Sequence, residues 1–369
     1  MESFLKQLVA MESPSGDTGS LSGLLAFLKD SLEEIGCRVV HFPGKQSGGF
    51  LFAVPRERKR HLPLQLLVGH CDTVWPISTL EEMPIQESVD RISGPGIFDM
   101  KAGLTQLVFA LKGLHDMKLG GTVTPVVLIN SDEETGSHES TRAIQRLSRI
   151  ACRAFVLEPP LGMEGKLKTA RKGIGRFTLR VKGRPAHAGL NPDKGVSAIV
   201  ELSYQIQQLF AMNDFEKGIT VNVGMIQGGS SANVIAAEGQ AVIDVRVKNM
   251  QDAEHIAKRI RSLKPKQSNI ELFIDGYFGR PPLERTPRNR KLWKLAKDMG
   301  NKIDLKLEEA EAGGGSDGNT TSQYTATLDG LGTTGDGAHA LHEFIFRDKL
   351  VERTTLLSLL LAAPPMEDY

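Results

Sequence analysis

The order of apolar segments along the chain constrains the fold more than any other feature of the sequence. Four short runs of β-branched and large apolar residues alternate with helical patterns. These runs cover residues 50–54, 64–68, 123–129 and 154–157. Leucines at helical spacing predict a helix that ends before Gly36, and a second helix is predicted over 104–114. Strands that alternate with helices indicate an α/β fold with a mostly parallel, mixed sheet flanked by helices.

The pattern changes between residues 174 and 282. Strand and helix patterns follow one another there as a strand near 177–181, a helix over 196–210, strands over 220–226 and 241–247, a helix over 253–263 and a strand over 270–274. This β-α-β-β-α-β order is the ferredoxin-like plan, which can close its own core. We therefore predict that residues 174–282 form a domain inserted into a discontinuous first domain, which comprises 1–173 and 283–369.

Composition excludes several classes of partner. With 45 Lys and Arg against 44 Asp and Glu, the net charge of +1 provides no general field for nucleic acid or acidic lipid. The basic run at 56–61 lacks interleaved aromatic residues, and we interpret it as a charged turn. No apolar stretch is long enough to span a membrane, and no export signal is evident at the first residues. Three cysteines without metal-like spacing favour the cytoplasm.

Acidic and imidazole side chains follow the predicted strands at the point where each strand ends. His70 and Asp72 come after one strand, Glu133 and Glu134 after the next, and Glu158 after a third. A further carboxylate, at position 99, lies just before a helix. Ligands bind outside the carboxyl ends of strands in open α/β sheets, so these side chains can converge on one site. Each alone would be typical of a cap or a solvated turn. Their joint placement predicts a functional cluster.

The residue types in this cluster suit a catalytic divalent cation. Oxygen and imidazole ligands without cysteine are typical of a Zn²⁺ site with an open position, although Co²⁺ and Mn²⁺ accept the same ligands. Adjacent side chains cannot point the same way, so one of Glu133 and Glu134 can bind metal while the other carries a proton. Asp72, two residues after His70, can accept the second ring N–H of that imidazole. A surface turn is the alternative interpretation of this pair.

Seven motifs occur in a fixed order. They are GHCDTV (69–74), GPGIFDMKAG (94–103), NSDEETGS (130–137), LEPP (157–160), GRPAHAG (183–189), ANVIAAEG (232–239) and GAHALHEF (337–344). Together they resemble the zinc-dependent aminoacylase and carboxypeptidase family, which includes glutamate carboxypeptidases, acetylornithine deacetylase and succinyl-diaminopimelate desuccinylase. The similarity covers nearly the whole chain, including the inserted segment. Seven ordered matches are specific where any one would be weak.

The resemblance implies a pair of metal ions with named ligands. The five implied ligands are His70, Asp99, Glu134, Glu158 and His339. Asp99 would be shared, with His70 and Glu158 on one ion. Glu134 and His339 would bind the other ion. The resemblance further implies that Glu133 is the general base and that Asp72 orients His70.

Two histidines compete for the last ligand position. His339 and His342 lie in the same loop. We expect His339, because the family pattern places its ligand four residues before a glutamate followed by an aromatic residue, here Glu343 and Phe344. The reverse assignment stays open.

The inserted domain is expected to contribute both an oxyanion donor and a dimer contact. His187, in GRPAHAG, is the candidate donor to the tetrahedral oxyanion. In the family, the equivalent histidine reaches the site of the neighbouring subunit. The resemblance therefore implies a homodimer formed through the inserted domain, with His187 acting on the partner's site.

Several residues are candidates for holding a substrate carboxylate. Arg246 could pair with it bidentately, and Asn233 could donate beside it. Gly314 and Gly315, in the run 313–319, could present backbone N–H groups to the same anion. That run lacks the Lys-Ser/Thr ending of a phosphate loop, so nucleotide binding is not expected. Lys166 is a weaker candidate, which could equally be a solvated turn lysine.

These features predict a dinuclear metal-dependent hydrolase that cleaves an amide bond next to a free carboxylate, most like a glutamate carboxypeptidase. The substrate would be a small peptide or an N-acyl amino acid. An N-acyl amino acid deacylase or a dipeptidase on the same scaffold is the alternative. A non-catalytic binding protein of this fold would be expected to lack a ligand or the base, whereas all are present in the sequence.

Overall fold

A computed structural model describes residues 1–119 and 121–366. Within these residues the chain divides into two compact units. The first unit contains the described residues of Met1–Ala170, Glu284–Ala312 and Ser316–Tyr369. The second contains Arg171–Leu283 and Gly313–Gly315.

The secondary structure alternates strands and helices over most of the chain. The helices are α1 (Glu2–Ala10), α2 (Thr18–Glu34), α3 (Thr79–Glu82), α4 (Ala102–Asp116), α5 (Thr141–Ile150), α6 (Ala198–Phe210), α7 (Met250–Arg261), α8 (Pro287–Asn301), α9 (Asp317–Thr321) and α10 (Arg347–Ala362). The strands are β1 (Cys37–Phe42), β2 (Phe50–Pro55), β3 (Leu64–His70), β4 (Gln86–Glu87), β5 (Arg91–Ser93), β6 (Thr124–Asn130), β7 (Ala151–Val156), β8 (Leu167–Arg171), β9 (Gly173–Lys182), β10 (Thr220–Gly228), β11 (Glu238–Val247), β12 (Glu271–Arg280), β13 (Glu309–Ala312), β14 (Ala326–Leu328), β15 (Gly335–Asp336) and β16 (Phe344–Phe346).

The main sheet of the first unit has six strands in the order β1-β2-β6-β3-β7-β14. The four strands from β6 to β14 are parallel, and β1 and β2 add an antiparallel hairpin at one edge. This arrangement confirms the predicted mostly parallel sheet. The register pairs His70 with Asn130 and Val68 with Val156, so three strands end at the same edge.

Both faces of this sheet are buried, as a parallel sheet requires. In β3, Leu67 packs into the large cluster formed with the leucines of α2, α4 and α10. Its neighbours Leu66 and Val68 pack into a separate cluster that includes Ile144 of α5. Successive side chains of a strand point to opposite faces, so these runs are apolar throughout.

The second unit is a four-stranded antiparallel sheet in the order β10-β11-β9-β12. Its elements follow the sequence β9, α6, β10, β11, α7, β12, which confirms the ferredoxin-like prediction. Alternate residues of β11, such as Ala241, Ile243 and Val245, are buried with residues of α6 and α7. The intervening residues, among them Asp244 and Arg246, lie on the other face and are only half-buried.

Two small sheets of the first unit were not predicted from the sequence. One has the order β15-β16-β5-β4, and the other pairs β13 with β8. Phe344 of β16 pairs with Ser93 of β5, which brings the segment after Gly94 beside the segment before Phe344. None of the described helices combines the length and apolarity needed to cross a bilayer.

Candidate metal centre

The shared edge of the sheet gathers the acidic and imidazole side chains. His70 is the last residue of β3, Glu133 and Glu134 lie just beyond β6, and Glu158 lies just beyond β7. Ligand atoms of His70, Asp99 and Glu134 lie within 4.8 Å of one another, and so do those of His70, Glu133 and Glu158. The structure therefore brings together residues from four segments that are distant in sequence.

Asp99 is the centre of this cluster because its two oxygens face two different imidazoles. Its Oδ1 lies 3.2 Å from Nε2 of His70, and its Oδ2 lies 3.5 Å from Nε2 of His339. The His70 imidazole is also 3.4 Å from Oε1 of Glu158, and the His339 imidazole is 3.3 Å from Oε2 of Glu134. The five side chains thus form two groups that share one carboxylate.

Asp72 is fully buried and contacts several residues of the cluster. Nδ1 of His70 lies 3.0 Å from the backbone oxygen of Asp72 and 3.4 Å from its Oδ1. A neutral imidazole that donates through Nδ1 presents its lone pair at Nε2, the atom that faces Asp99. The Asp72 carboxylate also accepts the backbone N–H groups of Glu133 and Glu134 and the Ser15 hydroxyl. One carboxylate therefore orients residues on three segments.

His339, rather than His342, contacts the cluster. The backbone of His339 has a positive φ of 60°, and the N–H of Ala340 donates to the oxygen of Gly337 at 2.8 Å. This tight turn directs the His339 imidazole to Asp99 and Glu134. His342 is exposed, whereas Nε2 of His339 lies 3.5 Å from Asp99 and 3.3 Å from Glu134.

The electrostatics of the cluster suit cations. Burial would raise the pKa of Asp99, but hydrogen bonds from His339 and His70 hold that pKa well below its usual range. Bonds to Asp99 and Glu134 raise the pKa of His339 to about 10. Burial lowers the pKa of His70, but hydrogen bonds to the surrounding carboxylates outweigh burial and raise it well above the usual value. Burial raises the pKa of Glu134.

The donor set fits a pair of divalent ions. Oε1 of Glu134 is buried and has no hydrogen-bond partner in the part of the chain that the structure describes. A buried carboxylate oxygen without a donor is costly unless a cation binds there. Carboxylates and imidazoles are ligands that Zn²⁺, Co²⁺ and Mn²⁺ accept.

His187 and Asn233 lie in neighbouring loops of the second unit. Nδ1 of His187 accepts the backbone N–H groups of Gly189 and Leu190, at 3.1 and 3.2 Å. A neutral imidazole in this arrangement carries its proton on Nε2, which is the form that an oxyanion donor needs. The N–H of Ala188 donates to the backbone oxygen of Asn233 at 2.9 Å. Both His187 and Asn233 are exposed.

Arg246 already pairs with a carboxylate of its own strand. Its Nε and Nη2 donate to the two oxygens of Asp244 at 2.8 and 3.1 Å. Residues two apart on a strand share a face, so this partner could have been predicted from the sequence. Lys166 likewise lies 3.1 Å from Glu308 in an exposed ion pair, which raises the pKa of the lysine.

The glycine-rich run 313–319 makes hydrogen bonds that its sequence pattern does not predict. The carbonyl oxygens of Gly314 and Gly315 accept from Arg171, each at 3.2 Å. Asp317 is buried and accepts from the Ser137 hydroxyl at 2.5 Å and from the Asn130 amide at 2.8 Å. These partners flank Glu133 and Glu134, so the run supports the loop that carries them. Contacts across 180 residues leave no local signal in a sequence.

Glu343 is a second residue whose role was missed. In the sequence, Glu343 serves only to identify His339 as the expected ligand. It is fully buried, and its carboxylate accepts four N–H groups around Asp99. Burial raises its pKa to about 7, while these donors act in the opposite direction. Its fixed spacing after His339 was the available signal.

An open α/β sheet that gathers carboxylates and imidazoles at its strand ends, together with a ferredoxin-like insertion, defines a class of metal-dependent hydrolases. A sequence family described as a peptidase dimerisation domain matches residues 169–267. Carboxypeptidase G2 of Pseudomonas sp. (strain RS-16) is 28% identical over 350 residues, which cover 91% of this chain and 82% of that protein.

Solved structures share the fold over nearly the full length. The aminopeptidase PepT from Bacillus cereus ATCC 10987 has a TM-score of 0.80 at 20% identity and covers 97% of this chain and 96% of its own. The Bacillus subtilis YXEP protein, a dinuclear metal binding peptidase from the M20 family, has a TM-score of 0.69 at 15% identity and covers 98% of both chains. The chain is similar to peptidases of the M20 family over most of its length. The resemblance drawn from the seven motifs is confirmed.

Metal binding should release protons. The pKa of His70 is raised and that of His339 is raised to about 10, so both imidazoles hold a proton more tightly in the metal-free protein than a free histidine does. A divalent ion must displace those protons, so the affinity for Co²⁺ should increase as the pH rises from about 6 to about 9. Calorimetric titration in buffers of different ionisation enthalpy measures the number of protons released. Affinity that is independent of pH, with no proton release, would contradict this charge assignment.

Proposed function

We propose that the chain is a dinuclear metal-dependent hydrolase that cleaves an amide bond next to a free carboxylate and releases a C-terminal amino acid. The observation that carries this proposal is the position of Asp99 between two imidazole-carboxylate groups. The similarity to carboxypeptidase G2 over most of both chains supports the carboxypeptidase assignment. The substrate is a small peptide or an N-acyl amino acid.

The proposed metal ligands are the five side chains of the two groups. His70 and Glu158 would bind one ion. Glu134 and His339 would bind the other ion, and Asp99 would bind both. When bound, two Zn²⁺ ions, or Co²⁺ or Mn²⁺ in their place, would polarise the scissile carbonyl and lower the pKa of water.

Glu133 is the proposed general base. One of its carboxylate oxygens lies within 4.8 Å of a ring nitrogen of His70 and of a carboxylate oxygen of Glu158. Its backbone N–H donates to the Asp72 carboxylate. A carboxylate in this position can take a proton from water and return it to the leaving nitrogen. Asp72 keeps both His70 and the Glu133 peptide in place. His187 donates from Nε2 to the oxyanion that develops on the carbonyl oxygen.

An N-acyl amino acid deacylase or a dipeptidase is the second candidate. The ion pair between Arg246 and Asp244 does not separate the two candidates, because N-acyl amino acids and dipeptides also carry a free carboxylate. Hydrolysis of folate-type and N-acyl glutamates, compared with acetylornithine and simple dipeptides, separates the two candidates. We place the protein in the cytoplasm, since Cys37 and Cys71 are buried free thiols, as expected under reducing conditions.

Replacing the general base should strongly lower turnover without removing metal. We expect Glu133→Ala to lower kcat by roughly two to four orders of magnitude, because proton transfer loses its acceptor. Metal content, measured by elemental analysis of the same sample, should equal that of the wild type. Glu57→Ala, at an exposed position in the charged turn, is the control and should keep full activity. Near-normal turnover of Glu133→Ala would remove the base assignment.

Arg246 should affect substrate affinity more than turnover. A charge-assisted pair contributes about 1.5 to 3 kcal/mol, so Arg246→Ala should raise KM by roughly tenfold to a hundredfold for substrates with a free carboxylate. Asp244→Asn is the matched control, because it breaks the same internal ion pair but leaves the guanidinium for the substrate. Steady-state kinetics on both variants measure KM and kcat separately. Equal KM values for wild type and Arg246→Ala would show that the pair is only structural.

The second unit is the proposed dimer contact. Its edge strand β10 exposes Met225 and Ile226, and α6 exposes Ile199, Tyr204 and Phe210. Exposed apolar side chains on an unpaired strand edge and an adjacent helix are typical of a self-association surface. The match to a peptidase dimerisation domain supports a homodimer.

A charge on that edge should dissociate the dimer. We expect Ile226→Asp to shift the protein from dimer to monomer in sedimentation velocity, because burying an unpaired carboxylate in the contact is unfavourable. Activity should fall as well, since His187 is proposed to act on the partner's site. Val89→Asp, at an apolar residue of the first unit that is 99% exposed, is the control. A monomer with full activity would contradict the proposal.

A further inference from the structure

Glu343 is a fully buried carboxylate beside the metal cluster, and its two oxygens accept four N–H groups. Its Oε1 accepts the backbone N–H groups of Phe98 and Asp99, at 2.8 and 3.0 Å. Its Oε2 accepts the backbone N–H of Gly96 and the Trp75 indole N–H, at 2.8 and 2.9 Å. Three of the four donors therefore belong to the turn that presents Asp99.

This turn has little regular structure of its own to fix Asp99. Gly96 has a φ of 69°, and Asp99 and Met100 have non-helical backbone angles. The backbone N–H of Asp99 donates to Glu343, so the peptide that carries the shared carboxylate is tied to this one side chain. Without the Glu343 oxygens, three N–H groups of a buried turn would lose their acceptors. The turn would then have to rearrange.

Glu343 also belongs to the loop that carries His339. The N–H of Glu343 donates to the oxygen of Ala340 at 3.0 Å, and the N–H of Gly94 donates to the oxygen of Glu343 at 3.2 Å. The next residue, Phe344, pairs with Ser93 in the small sheet. The backbone and the side chain of Glu343 thus connect the Asp99 turn with the His339 loop.

We propose that Glu343 is a positioning residue that sets the placement of Asp99 relative to His339, and so determines whether one carboxylate can serve both metal ions. This inference rests on the proposed dinuclear function. Groups that orient metal ligands typically change metal affinity by about tenfold to a hundredfold when they are replaced.

Glutamine cannot take over this role. The side chain of Glu343→Gln keeps one carbonyl oxygen, but its NH₂ group would face two N–H donors in place of an acceptor. Glu343→Asp keeps the charge and shortens the side chain by one methylene, so that the carboxylate no longer reaches all four donors. Both variants should disturb the Asp99 turn, Glu343→Gln by losing an acceptor and Glu343→Asp by losing reach.

The chain offers a matched control in Glu139. Its carboxylate also accepts three backbone N–H groups and one side-chain donor, from Lys45, Gln46 and Ser47. Among the described residues, its carboxylate accepts hydrogen bonds only from residues 45–47, none of which is a proposed metal ligand. Glu139→Gln should therefore disturb a comparable set of hydrogen bonds without moving Asp99.

The test is titration of the metal-stripped full-length chain with Co²⁺, followed by its visible absorption, with thermal unfolding measured on the same samples. The wild type should bind two ions. We expect Glu343→Gln and Glu343→Asp to bind Co²⁺ roughly tenfold to a hundredfold more weakly, with an altered spectrum from changed ligand geometry. Glu139→Gln should keep wild-type affinity and spectrum, even if its unfolding temperature falls.

The possible results distinguish a failure of the positioning role of Glu343 from a failure of the proposed dinuclear function. Wild-type affinity and spectrum in Glu343→Gln would overturn the positioning role while leaving the dinuclear site intact. If Glu343→Gln fails to fold, the Co²⁺ affinity and the spectrum of Glu343→Asp test the positioning role by the same criterion. An equal loss of affinity in Glu139→Gln would also overturn the inference, since the effect would then follow general destabilisation. A wild type that binds no Co²⁺ would instead contradict the proposed function.

Discussion

The placement of one carboxylate between two imidazoles is the constraint on which the rest of the site depends. Asp99 faces His70 with one oxygen and His339 with the other. Several buried carboxylates in one place repel one another, so such a cluster is unfavourable unless positive charge compensates it. Hydrogen bonds to the carboxylates raise the pKa values of both imidazoles and so favour positive charge there, and divalent ions would supply that charge in the active protein.

The fold supports this arrangement from several directions. Parallel strands deliver His70, Glu134 and Glu158 to one edge because β3, β6 and β7 end in register. Buried carboxylates behind the ligands then fix the loops: Asp72 holds the His70 ring and the Glu133 peptide, while Asp317 holds the partners that flank that loop. The proposed ligands therefore depend on surrounding buried acids such as Asp72 and Asp317.

The sequence predicts well which residues lie at the strand ends. It predicts poorly the small sheets and the buried side chains that hold those residues in place. Buried parallel strands are continuous apolar runs, so the residues that follow them, such as His70 and Glu158, are easily located. The small sheet that joins Ser93 to Phe344 has strands of two or three residues, too short for any periodicity. The contact of Asp317 with Ser137 is equally non-local. The Asp244 partner of Arg246, two residues away on the same face, was visible in the sequence and was overlooked.

The most direct test of the account is the distance between the two bound metal ions. X-ray absorption spectra of the protein loaded with two equivalents of Zn²⁺ should contain a metal-metal scattering contribution at about 3.5 to 4 Å, as expected for ions that share one carboxylate. Carboxylate and imidazole should account for the remaining ligands. Full loading without any metal-metal contribution, or saturation at a single ion, would contradict the central role of Asp99.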